Sequence, residues 1–251
     1  MTSPIADQLL AAARELSASL AGLRFPPPIA CVYDPLQYAW APYAAYIERY
    51  GATRKRVLLL GMNPGPFGTM QTGVPFGEVA AVRDWMGLAA PVARPAVEHP
   101  KRPIEGFGCA QSEVSGRRLW GWAASRFGTA AAFFEDWFVL TYCPLGFLEA
   151  SGRNFTPAKL PVAHRRALND ACDRHLAIAL DALQPEWAIG VGAFAEQRLR
   201  AVRDGDRLDP ALARRIEVAQ ILHPSPASPA ANRGWNEAVD RKLSELGVLP
   251  R

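Results

Sequence analysis

The sequence predicts an α/β protein, a three-layer α/β/α sandwich with helices on both faces of a central four-stranded parallel sheet. Three observations predict it. Four short apolar runs, at 57–60, 137–142, 187–191 and 216–222, have the length of strands buried on both faces, and glycine or proline follows each within two residues. Helical patterns separate them, the arrangement that demands crossover connections and hence parallel strands. The 251 residues, 49% hydrophobic and 21% charged, carry no low-complexity linker, so one domain spanning 1–251 is expected.

Taken in order, Ile5, Leu9, Ala12, Leu16 and Leu20 recur at helical spacing behind a Ser3-Pro4 start that suits a cap and first turn. This helix stops before Pro26-Pro27-Pro28. Tyr38, Trp40, Tyr43, Tyr46 and Ile47 predict an amphipathic helix whose aromatics are better read as core than as a base-stacking platform. The first strand then ends at Gly61. Behind it, Met62 to Gly77 holds Gly65, Gly68, Gly73, Pro64, Pro66 and Pro75, a composition that lets a backbone approach a ligand closely. Ligands of open α/β sheets sit beyond the carboxyl ends of strands, where Met62, Asn63, Gly65 and Phe76 fall.

Residues 78–86 read as a short helix and 89–116 as a Pro-rich irregular stretch bearing His99, Lys101 and Arg102, of a length that in a compact domain is usually functional or flexible. A helix over 115–126 precedes the second strand, 137–142. The longest helical pattern, 160–183, sets Arg165, Arg166 and Arg174 on a solvated face. The third strand, 187–191, leads into a helix over 193–202. The fourth, 216–222, ends at His223-Pro224-Ser225-Pro226, and a helix over 232–246 closes the chain.

Several function classes are disfavoured. The glycine-rich loop lacks the GK[ST] ending of a phosphate loop and the G-x-G-x-x-G of a dinucleotide loop. Cys31, Cys109, Cys143 and Cys172 lie far apart, so free buried thiols are expected, with no metal and no cofactor. The N-terminus lacks the pattern of a signal peptide and no run is long enough to cross a membrane, which points to a reducing, cytoplasmic setting. The net charge of +4 rests mostly on arginine. Arginine suits bidentate phosphate contacts, though GC-rich coding explains the same bias.

The segments GMNPGPFG and QTGVPFGEV, then EHPKRP (98–103), QSEVSG (111–116), SGRN (151–154), HPSP (223–226) and AANRGW (230–235), resemble, in this order, the single-strand-selective monofunctional uracil-DNA glycosylases of the uracil-DNA glycosylase superfamily. The likeness runs from about Tyr38 to the C-terminus and leaves out residues 1–30. It implies a monomeric DNA-repair enzyme that hydrolyses uracil and C5-modified uracil, such as 5-hydroxymethyluracil, from single- and double-stranded DNA. It also implies site roles. Asn63 holds the attacking water and His223 hydrogen-bonds the departing base. Met62, Gly65, Phe76 and Thr141 line the base pocket, Phe76 by stacking and Gly65 by leaving space at the base's C5 edge. Ser151, Gly152, Arg153 and Asn154 contact phosphate, and Pro224, Ser225, Pro226, Ala227 and Arg233 belong to the wedge that fills the vacated stack.

Two positions depart from the family pattern. Thr141 stands where an asparagine usually reads the uracil edge, which predicts weaker or broader base choice, deaminated purines included. Ala227 stands where the wedge commonly carries a basic residue, which predicts a preference for single strands or mismatches. The absence of lysine from the pocket motifs argues against Schiff-base chemistry. The rival readings are a sibling glycosylase for hypoxanthine or xanthine, and a protein that binds damaged bases without cutting.

Overall fold

The computed structural model describes residues 3–249. A parallel sheet forms its centre, in the order β3-β2-β6-β7, built from β2 (Val57–Gly61), β3 (Trp137–Thr141), β6 (Trp187–Val191) and β7 (Glu217–Ile221). All five residues of β2 are buried. Because successive side chains of a strand point to opposite faces, helices must cover the sheet on both sides. The predicted four strands and layered class are therefore present.

The helices that do this follow the apolar spacings. Helix α1 (Pro4–Leu20) is capped by the Ser3 hydroxyl and buries Leu9, Leu16 and Leu20; it packs on α7 (Val162–Leu183). Between them in sequence come α2 (Pro35–Tyr38), α3 (Trp40–Tyr50), α4 (Thr69–Thr72), α5 (Val114–Phe127) and α6 (Ala130–Asp136). The aromatics of α3 are core: the Tyr46 ring stacks on Phe138 at 5.1 Å and its hydroxyl donates to Val139 O at 2.9 Å. Helices α8 (Ala193–Arg203), α9 (Pro210–Arg215), α10 (Pro229–Asn232) and α11 (Trp235–Glu245) complete the order. The predicted closing helix, 232–246, is α11, which starts after Gly234 (φ of 147°) and is preceded by the short, unpredicted α10. The short helix expected at 78–86 is a wide, π-type turn over Ala81–Trp85.

A second sheet is absent from the sequence-based expectation. β1 (Ile29–Tyr33), β4 (Gly146–Glu149) and β5 (Asn154–Phe155) pair antiparallel in the order β1-β4-β5. It makes Ser151-Gly152-Arg153 the tip of a hairpin, closed by Gly152 N–H to Glu149 O at 2.7 Å. It also anchors the Pro-rich stretch, since the Tyr33 hydroxyl donates to Arg102 O and accepts from His99 N–H. Buried Gln71 ties the same stretch to the glycine-rich loop. Its amide donates to Pro66 O and Pro103 O and accepts from Glu105 and Gly106 N–H. A segment with so many fixed backbone groups is a wall, not a loose strap. All four cysteines are buried and unpaired, and no described helix is long and apolar enough to span a membrane.

Candidate active site

The loops that leave β2, β3 and β7 open into one cavity of about 550 Å³. Asn63, Phe76, Thr141 and His223 all line it, with Met62 and Gly65. Sheet topology explains the meeting. β2 lies between β3 and β6, Gly61 is in register with Thr141, and parallel strands deliver their loops to one end.

Phe76 is held in place by its backbone. Its φ of 50° is left-handed, a conformation that costs a non-glycine residue on the order of 1–3 kcal/mol and persists only where neighbours enforce it. Here the Phe76 carbonyl accepts from Trp120 Nε1–H at 2.9 Å and from Glu78 N–H at 2.7 Å. The ring then packs close against the strand end: a Cβ on Gly61 would stand 2.7 Å from a ring carbon. Only glycine permits that approach.

His223 is half-buried, and burial lowers its pKa, favouring the neutral ring. Its Nδ1 accepts the Ser225 N–H at 3.1 Å, so the proton of the neutral ring sits on Nε2. The loop that carries it is braced from α5. Arg118 donates to Pro224 O at 3.0 Å, to Ser225 O at 3.3 Å and to Asn232 Oδ1 at 2.8 Å, while Asn232 donates to Pro226 O. Arg118 was no candidate from sequence, since nothing local marks an arginine whose acceptors lie over a hundred residues away.

Asn63 keeps its amide nearly free, with one long 3.5 Å contact from Nδ2 to Pro64 O. Asn154 reaches the same carbonyl at 3.5 Å, so the two amides are neighbours. This corrects the placement of Asn154 on a phosphate-binding surface. It begins β5, faces the cavity, and has a buried Oδ1 without a partner.

Gly65 lines the cavity beside a side chain that sequence did not place there. The Glu113 carboxyl takes the place a Cβ would need: on Gly65 it would lie 2.2 Å from Glu113 Oε1, and on Gly68 it would collide with Glu113 Oε2. Glu113 is buried at its carboxyl, and desolvation, with Glu78 as the second cause, pushes its pKa up to about 7. The QSEVSG motif contains it, yet sequence assigned it no role.

The remaining candidates divide by exposure. Ser151 and Arg153 are exposed at the hairpin tip, where Arg153 pairs with Glu149 at 3.0 Å, a surface pair weak enough to exchange for phosphate. Gly152 packs against the side chains of His99, Lys101 and Arg102, so the tip and that turn form one basic edge. His99 is not part of its exposed face: it is buried and its Nδ1 accepts the Lys101 N–H. Ser225 and Pro226 reach the cavity rim, Pro224 is buried behind them, and Ala227 and Arg233 are exposed. Among the described residues no group of acidic, histidine and cysteine side chains is arranged to hold a metal.

Residues 48–243 match the uracil DNA glycosylase superfamily. The single-strand selective monofunctional uracil-DNA glycosylase of Rattus norvegicus is 48% identical over 98% of this chain and 86% of its own length. The chain belongs to the single-strand-selective monofunctional uracil-DNA glycosylase family. The Mus musculus and Bos taurus members are each 47% identical over 99% and 98% of the chain. As a family member it is a DNA N-glycosylase, an enzyme that hydrolyses N-glycosyl bonds. The crystal structure of Pedobacter heparinus SMUG2 shares the fold, with a TM-score of 0.71 over 99% of this chain and 98% of that one at 20% identity.

Proposed function

We propose that this glycosylase releases uracil and C5-modified uracil, such as 5-hydroxymethyluracil, from single-stranded DNA and from duplex, leaving an intact abasic site. The observation that carries the reading is that a free amide, Asn63, and a neutral imidazole with its proton on Nε2, His223, line one cavity from loops on different strands.

Breaking the C1′–N1 bond sends its electron pair to the base and leaves an oxocarbenium-like sugar. Asn63 orients a water whose oxygen forms the new bond to C1′, and the proton released passes to solvent or to the departing base. An amide is a weak base, so the cationic sugar does most of the activation. His223 donates from Nε2 to a carbonyl oxygen of the departing base, where negative charge grows; a neutral donor in a half-buried site acts without first shedding a hydration shell. Phe76 stacks on the flipped base, worth about 1–3 kcal/mol. Lys101, Arg102 and Arg153 form the edge that meets the backbone of the strand, and the His223–Arg233 segment occupies the gap.

Thr141 supports a broader substrate range. One hydroxyl replaces the separate donor and acceptor of an amide, so hypoxanthine and xanthine are included as candidate bases. The exposed methyl of Ala227 supports preference for single strands over matched duplex. The protein is read as a monomer, and its four buried free thiols support a reducing, cytoplasmic setting.

Single-stranded oligonucleotides, each carrying one modified base, test the proposal through alkaline cleavage at abasic sites. Release of uracil, lost in Asn63→Ala and His223→Ala, is the expected result. Tight binding of damaged strands without cleavage would identify a non-catalytic binder and reject the proposal.

A further inference from the structure

Glu113 occupies the N-cap position of α5, where a side-chain oxygen can turn back to accept a helix N–H. It makes no such bond. Its side chain turns instead toward the cavity and rests on Gly65 and Gly68, two positions whose missing Cβ atoms make the seat. There its Oε2 is buried without a hydrogen-bond partner. An unpaired buried carboxylate is costly, so this geometry favours a carboxyl that keeps its proton and is completed by a ligand.

A neutral carboxyl presents an O–H donor beside a C=O acceptor. Uracil's imide edge presents the complement, a carbonyl acceptor beside an N–H donor. This is also the pairing that a threonine at 141 cannot offer. We propose that Glu113, in its neutral form, hydrogen-bonds the polar edge of the base in the cavity and determines which base is released, supplying the donor and acceptor that Thr141 lacks. The proposal rests on the reading that the cavity receives a flipped base.

The surroundings suit a neutral acid. Burial is the first cause of its raised pKa and Glu78 the second, together pushing it up to about 7. The glycine-rich loop beneath contributes no charged side chain between Gly61 and Thr69. From the β7 loop only His223 titrates, and burial shifts it in the acid direction. On α5, Arg117 is exposed and bonded to the Ser112 hydroxyl, and Arg118 is committed to the Pro224 and Ser225 carbonyls. Asn154 and Thr156 complete the wall without charge. Above pH 7 a carboxylate would lose its donor and face the negative charge of the leaving base, so release should slow.

The test is single-turnover uracil release from a single-stranded oligonucleotide between about pH 5.5 and about 9, for wild type, Glu113→Gln and Glu113→Ala. The wild-type profile should bend downward near pH 7. Glutamine keeps a donor and an acceptor at every pH, so E113Q should lose that bend. E113A should fall at least about tenfold below E113Q and lose discrimination between uracil and cytosine. An E113Q profile that bends as wild type does, or an E113Q rate as low as E113A across the range, overturns the role of Glu113. A wild-type protein that releases no base at any pH overturns the underlying cavity reading instead.

Discussion

Glu113→Gln should make the protein less sensitive to alkali, independently of any effect on catalysis. A carboxyl whose ordinary pKa is 4.5 and which burial pushes up to about 7 stays protonated in the folded chain where the unfolded chain has already lost its proton. Stability from this group is complete below about pH 4.5, declines as pH rises, and is lost above about pH 7. The gap corresponds to roughly 3 kcal/mol, at about 1.4 kcal/mol per tenfold change in proton affinity. Glutamine cannot ionise. The stability of E113Q relative to wild type should therefore be larger at pH 8 than at pH 4 by roughly that amount, on the order of several degrees in Tm for a domain of this size. Urea unfolding of both proteins at the two pH values measures it, and the difference cancels every other titrating group. An equal wild-type-to-E113Q gap at both pH values would refute the claim that this carboxyl is buried and neutral.

Other perturbations follow from the same geometry. Thr141→Asn should raise the rate or selectivity of uracil release, measured against hypoxanthine-containing strands; no gain counts against a reading role at this position. Ala227→Arg should narrow the difference between single-stranded and matched-duplex rates, which a side-by-side time course on the two substrates checks. Arg118→Ala removes three braces from the His223 loop, so the single-turnover rate should drop by about tenfold or more while the fold melts nearly as before. His175, buried and held down to about 4 by desolvation, stays neutral in the folded chain where the unfolded chain is protonated. Stability should therefore be full above about pH 6.5 and fall toward pH 4, by roughly 3 kcal/mol, a loss that His175→Leu should reduce in acid-melting curves.

The parts of this molecule legible in sequence are those fixed by short-range pattern. β2, β3, β6 and β7 announce themselves as continuous apolar runs because both faces are covered, and α1, α5 and α7 through helical spacing. The convergence of Asn63, Phe76, Thr141 and His223 was legible too, because parallel strands ending at one edge leave their loops little choice. β1 and β5 were not: half of β1 faces outward, β5 has two residues, and their pairing is decided by partners far along the chain. Long-range contact also hid Glu113, whose seat lies near Gly65 and Gly68, and Asn154, which a hairpin turns inward. Nothing in the local sequence marks Glu113, and only the structure shows its side chain turned onto the two glycines.

The sheet order has a consequence for how the enzyme comes into being. The Asn63 amide hangs from an interior strand made early, whereas the His223 imidazole hangs from an outermost strand, β7, which leaves the ribosome near the end of synthesis. Since β6 separates the two, the imidazole joins the amide only once β7 has paired with β6. A chain ending before β7 would lack His223 and with it one wall of the cavity.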